Sequence, residues 1–136
     1  MSENPSPRMM LSAAASGDTK AQSGLACWAL DLGAQGVVSE LEALSLAEAY
    51  SRLAAAKGDA MELCLLAGVL FYRARHAGMT GDLQTAREYM VEGIYQANRA
   101  GDAGHEQATT LLLNVAADLP ADVVADAAKY CPEEDR

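Results

Sequence analysis

Aromatic residues are scarce in this chain: one Trp, one Phe and five Tyr, 5% of its residues. Strand patterns are missing as well. No alternating Val, Ile or Thr run reaches five residues, which excludes a sheet-built fold. No stretch approaches 18 uninterrupted apolar residues, so no membrane-spanning helix is expected. The opening MSENPSPRMM has no basic segment followed by an apolar one, so no secretory signal is expected. Positive charge is short too: 10 Lys and Arg stand against 19 Asp and Glu, a net charge of −9. An acidic surface repels nucleic acid and anionic lipid, so neither is an expected partner.

Reactive motifs are equally sparse. Cys27, Cys64 and Cys131 form an odd set without C-x-x-C spacing, which reads as buried, reduced thiols in a cytoplasmic setting. His76 and His105 each lack a second histidine at i+4, so no zinc motif forms and neither metal nor cofactor is expected. There is no G-x-S-x-G elbow and no G-x-x-x-x-G-K-[ST] phosphate loop. Glu88 with Glu92, and Asp122 with Asp126, are carboxylate pairs at i,i+4, a spacing that could serve acid–base chemistry. On exposed helix faces such pairs are solvated charge, and an enzyme reading finds no foothold.

What the chain does have is alanine: 28 of its 136 residues. Alanine is the best helix former and lets helices approach closely, so the chain reads as all-α. Apolar spacing and capping residues predict helices over 8–16, 19–34, 40–57, 60–77, 83–99, 103–118 and 120–130. Gly33 and Gly36 break the second helix from the third, Ser39 caps the third, and GMTGD (78–82) breaks the fourth from the fifth. On the third helix Leu41, Leu44, Ala47, Leu53 and Ala54 share one face. Residues 1–7 carry two prolines and read as a disordered lead, 8–131 as one helical domain, and 132–136 as an acidic tail.

Three segments then align: AAASGDTKAQSGLA, AAAKGDAMELCLLA and ANRAGDAGHEQATT. Their Gly-Asp steps fall at Gly17-Asp18, Gly58-Asp59 and Gly101-Asp102, 41 and 43 residues apart. A self-similar period near 40, holding two helices, is the mark of a helical solenoid. At each step the glycine takes the left-handed position that ends one helix, and the aspartate caps the next.

These segments resemble the Sel-one-like repeats of the tetratricopeptide-type superfamily, whose helices end in Ala-Ala-x-x-Gly-Asp and continue into Ala-x-x-x-Leu-Ala/Gly and a Gly-x-Gly-Val loop. Ala13-Ala14 and Ala54-Ala55 stand before Gly17-Asp18 and Gly58-Asp59; Ala21, Leu25 and Ala26 continue the first copy, Leu66 and Ala67 the second. GAQGV (33–37) looks like that loop with one extra residue. The resemblance covers about 9–119 and has departures. Glu62 replaces a small residue, the second loop has no valine, and the third copy has Thr109-Thr110 and no loop, which suits a cap. It implies a short right-handed α-α solenoid of two to three repeats closed by a C-terminal helix. It also implies a non-enzymatic adaptor or scaffold that binds a protein or peptide.

In such arrays the first helix of each repeat lines the concave face, which makes Trp28, Tyr72, Arg73 and Arg75 the partner-binding candidates. FYRARHAG (71–78) is the one cationic cluster in the chain. Two readings stay open for it: compensation of the dipole at a helix C-terminus, or capture of an acidic or C-terminal peptide. Trp28 is either a core plug or an aromatic anchor. A self-associating subunit, a homodimer for example, is the alternative function, because a short array leaves apolar end faces. A small helical ligand-binding domain is a third.

Overall fold

A computed structural model describes residues 7–116 and 121–130. The remaining expectations, for the lead up to 6, Cys131, Pro120 and the tail, lie outside the described residues. Among those described there are seven helices and no strand. They are α1 (Pro7–Ala15), α2 (Thr19–Ala34), α3 (Glu40–Ala55), α4 (Ala60–Met79), α5 (Leu83–Asp102), α6 (Glu106–Ala116) and α7 (Ala121–Lys129).

Local chemistry sets the helix ends. Asp18 accepts from the backbone N–H of Lys20 and Ala21 at 3.0 and 3.2 Å. Ser39 accepts from Glu42 at 3.1 Å, and Asp82 from Thr85 at 3.1 Å. Each fills a donor that the first helical turn leaves open. Asp59 occupies the same position ahead of α4 in extended backbone, with no side-chain cap bond. At the other ends, Gly17, Gly36, Gly81 and Gly104 donate three residues back, and the residue after each donates five back, at 2.9–3.2 Å. That bond pair is the Schellman motif, and it needs the left-handed backbone all four glycines show.

Gly17 and Gly58 have φ of +93° and +79° and stand at helix breaks. The third expected turn is displaced. Gly101 and Asp102 belong to the last turn of α5, and the break comes at Gly104, φ +98°. The segment offers two glycines three residues apart. Stopping at the second keeps fully buried Ala100 in the helix and lets Gly104 and His105 donate to the carbonyls of Gly101 and Ala100. Gly33 is also helical, not a breaker: a Cβ there would lie 2.5 Å from that of Ala43, so its bareness lets α3 approach α2.

The chain divides into two units, Met1–Lys57 and Gly58–Arg136. In the first, α1 lies on α2 and α2 runs along α3. Its core is Leu25, Leu44 and many alanines, Ala26, Ala29, Ala47 and Ala54 among them. The buried Gln22 amide donates to the Ala14 carbonyl at 3.1 Å, tying α2 to α1. Of the five residues expected on one α3 face, Leu44, Ala47 and Ala54 are buried but Leu41 and Leu53 are about half exposed. Those two sit at the edges of a stripe that alanines narrow, since Ala43 and Ala55 take the interior places.

In the second unit α4 and α5 form the main hairpin, and α6 and α7 pack on α5. Ile94, Val123 and Ala127 form a core with Phe71, Met90, Val91 and Leu112 against it. The Phe71 ring lies on bare Gly93: a Cβ there would stand 2.7 Å from its Cε1. Arg87 on α5 reaches two carboxylates of α7, Asp122 at 2.8 Å and Asp126. The pair 122/126 is exposed, as expected, and in addition bridges α7 to α5 through Arg87.

Candidate functional site

The face of α4 turned away from its hairpin partner is the candidate surface. Leu63, Leu66, Ala67, Leu70, Ala74 and Ala77 are buried on one side of this 20-residue helix. At about 100° per residue, Met61, Leu65, Gly68, Tyr72, Arg75 and Met79 fall on the opposite side. Met61 is 68%, Tyr72 53% and Met79 73% exposed, and Arg75 is exposed. Leu65 and Gly68 are half-buried, and nothing stands within 4 Å of where a Cβ on Gly68 would be. The result is an apolar stripe with a hollow beside its tyrosine and a guanidinium at one end.

The sequence candidates separate on this geometry. Tyr72 and Arg75 lie on the stripe. Arg73 is turned toward α5, where its Nη2 donates to the Tyr89 hydroxyl at 2.7 Å and its guanidinium stands 5.0 Å from that ring's centre. It joins the two helices of the hairpin and presents no forward charge. His76, half-buried in the last turn of α4, suits the negative end of the helix dipole. Trp28 belongs to the first unit, on α2, and at 37% exposure is not a core plug.

Met61, Gly68 and Met79 were not singled out from the sequence. Their signal is the spacing 61-65-68-72-75-79, which reads as core when the residues are Met and Leu, and only exposure reverses it.

Other chemistry-bearing groups are scattered. Cys27 is exposed, not buried as expected, because Leu25, Ala26 and Ala29 take the inward positions around it. Cys64 is partly buried, and burial raises its thiol pKa, which disfavours the reactive thiolate. His105 is half-buried ahead of α6 instead of solvent-facing on its first turn. In the first unit an open groove of about 490 Å³ is lined by apolar side chains of α1 and α2, Met9 and Met10 among them, together with Asp18 and Lys20. Among the described residues no group of three His, Cys, Asp or Glu is placed to hold a metal ion, and no helix is long and apolar enough to cross a membrane.

No protein-family model matches the chain, and no curated protein or solved structure does.

Proposed function

We propose that this chain is a non-enzymatic interaction module, an adaptor or scaffold of the Sel-one-like, tetratricopeptide-type kind, which binds a protein or peptide in the cytoplasm. The observation that carries the reading is the outer stripe of α4: large apolar side chains held in water on a well-packed helix, with Arg75 among them. A monomeric surface rarely keeps such side chains together without a use. Tyrosine and arginine are the residues most enriched where contacts carry binding energy.

The repeat part of the proposal rests on likeness between two hairpins. Helices α2 and α3, then α4 and α5, each follow a left-handed glycine and an aspartate, at Gly17-Asp18 and Gly58-Asp59. On this reading they are two repeats of a right-handed α-α solenoid, with α6 and α7 as the cap.

The test uses a partner captured by the immobilised chain from its native host. Arg75→Glu keeps the fold, because the side chain is exposed, and weakens that partner's binding roughly tenfold or more. Wild-type binding also weakens as salt is raised. Unchanged affinity in the folded variant moves the binding site off α4.

A further inference from the structure

We propose that the outer face of α4 is self-complementary and joins two copies of this chain, antiparallel, about a two-fold axis beside position 70. The inference rests on reading that face as a contact surface, and it names the occupant.

The pattern is symmetric in spacing about position 70: Met61 mirrors Met79, Gly68 mirrors Tyr72, and Leu65 mirrors Arg75, whose methylene stem can cover it. A two-fold interface sets each residue against its mirror position on the other copy. Antiparallel pairing centred there lays the exposed Tyr72 ring over the partner's Gly68, where no Cβ and no neighbouring atom fills the space. The same contact recurs once more across the axis. At the two ends Met61 meets the partner's Met79, flexible thioethers that adapt to each other's shape.

Charge selects the antiparallel direction. The first half of α4 carries Glu62, and the second half carries the exposed Arg75, Arg73 being held on Tyr89. Antiparallel pairing brings the Glu62 end of one helix to the Arg75 end of the other. The two Arg75 side chains are then about 15 Å apart along the axis, beyond a Debye length of about 8 Å. Parallel pairing would set the two Arg75 side chains at one level instead. In a chain of net charge −9 two copies repel over most of their surface, and this face holds one carboxylate only at its flank.

Size sets the strength. The stripe from Met61 to Met79 is about 27 Å long, and one helix pair of that length falls short of the ~800 Å² per partner of stable complexes. The dimer is therefore a weak one, in the micromolar class.

Sedimentation equilibrium of the whole chain from about 5 to 500 µM reads it directly. The expected mass climbs from 14.3 kDa toward twice that value as concentration rises. Gly68→Leu fills the hollow and weakens dimerisation at least tenfold. Its melting temperature does not fall, because Gly68 lies in a helix interior with open space before it. Orientation is read by cysteine pairing in a Cys27→Ser, Cys64→Ala, Cys131→Ser background that associates like wild type. Met61→Cys mixed with Met79→Cys gives crosslinked pairs, while either variant alone gives none. A wild type that stays monomeric at 500 µM, a Gly68→Leu protein that dimerises as well as wild type, or crosslinking in a single variant each overturns the proposal. A monomeric wild type overturns self-pairing alone, since capture of a different partner is read separately through Arg75→Glu.

Discussion

Gly68 and Gly93 are both helix-interior glycines, and their surroundings give them opposite meanings. A Cβ on Gly68 meets nothing, so Gly68→Ala removes backbone freedom from the unfolded chain at no cost and stabilises by about 0.5–1 kcal/mol. A Cβ on Gly93 lands 2.7–3.3 Å from three Phe71 ring atoms in the second unit's core. Overpacking there costs about 1–3 kcal/mol and exceeds the helix-propensity gain of up to ~1 kcal/mol. Thermal melts at low concentration should therefore move in opposite directions for the two variants. A Gly93→Ala protein that melts above wild type would mean that the ring does not rest on that glycine. The glycines after α5 make a similar pair. Gly104→Ala puts a side chain at φ +98° and costs on the order of 1–2 kcal/mol, whereas Gly101→Ala sits in regular helix, 3.6 Å from the Thr109 hydroxyl, and costs less. If Gly101 proves the more sensitive, the break lies where the Gly-Asp spacing first placed it.

At the scale of the element, several helix ends were legible, but the end of α5 was not, and helix orientations were not. Capping depends on a few neighbouring residues, so Asp18, Ser39, Gly17 and Gly58 announce their roles in the sequence. Which side of a helix is buried depends on the helices that pack on it, and those are distant in sequence. Cys27, Leu41 and Leu53 consequently turned out exposed. Arg73, one of the partner-binding candidates, donates instead to Tyr89, sixteen residues away. Asp122 and Asp126 are solvated as read, but their partner Arg87, 35 and 39 residues away, was not foreseen. Of the outer α4 stripe the sequence singles out Tyr72 and Arg75, whereas its methionines and Gly68 emerge only from their exposure in the structure. The Arg87 clamp carries its own prediction. Asp122→Asn with Asp126→Asn removes both charged acceptors from α7, a nine-residue helix too short to be stable alone. Hydrogen exchange should then quicken in α7 and stay as in wild type in α4. Unchanged protection in α7 would leave its apolar residues, Val123 and Ala127, as its whole attachment.

For the molecule as a whole, a net charge of −9 opposes compactness, and the acid side of the pH curve shows how the carboxylates divide. Asp122 lies below the ordinary aspartate value of 3.8, first through hydrogen bonding from Arg87 and then through its charge. Asp82 is lowered by the Thr85 hydroxyl and backbone N–H. A carboxyl whose pKa is depressed by folding contributes stability that is full above its unfolded value and lost as pH falls through the folded one. Between pH 7 and about 5 these two groups therefore stay ionised and give nothing up, while the chain's net charge shrinks toward its pI near 4.5 and the repulsion eases. The melting temperature should rise over that interval, pass a maximum near pH 5, and drop below about pH 4 as Asp122 and Asp82 protonate. Salt acts on the same repulsion. At pH 7, going from 0.01 to 1 M ionic strength shortens the Debye length from about 30 to 3 Å and should raise the melting temperature by a few degrees. Scans at concentrations below the onset of dimerisation keep association out of the reading. A melting temperature that falls steadily from pH 7 to 5 and ignores salt would show that local ion pairs, the Arg87 clamp foremost, outweigh the net charge.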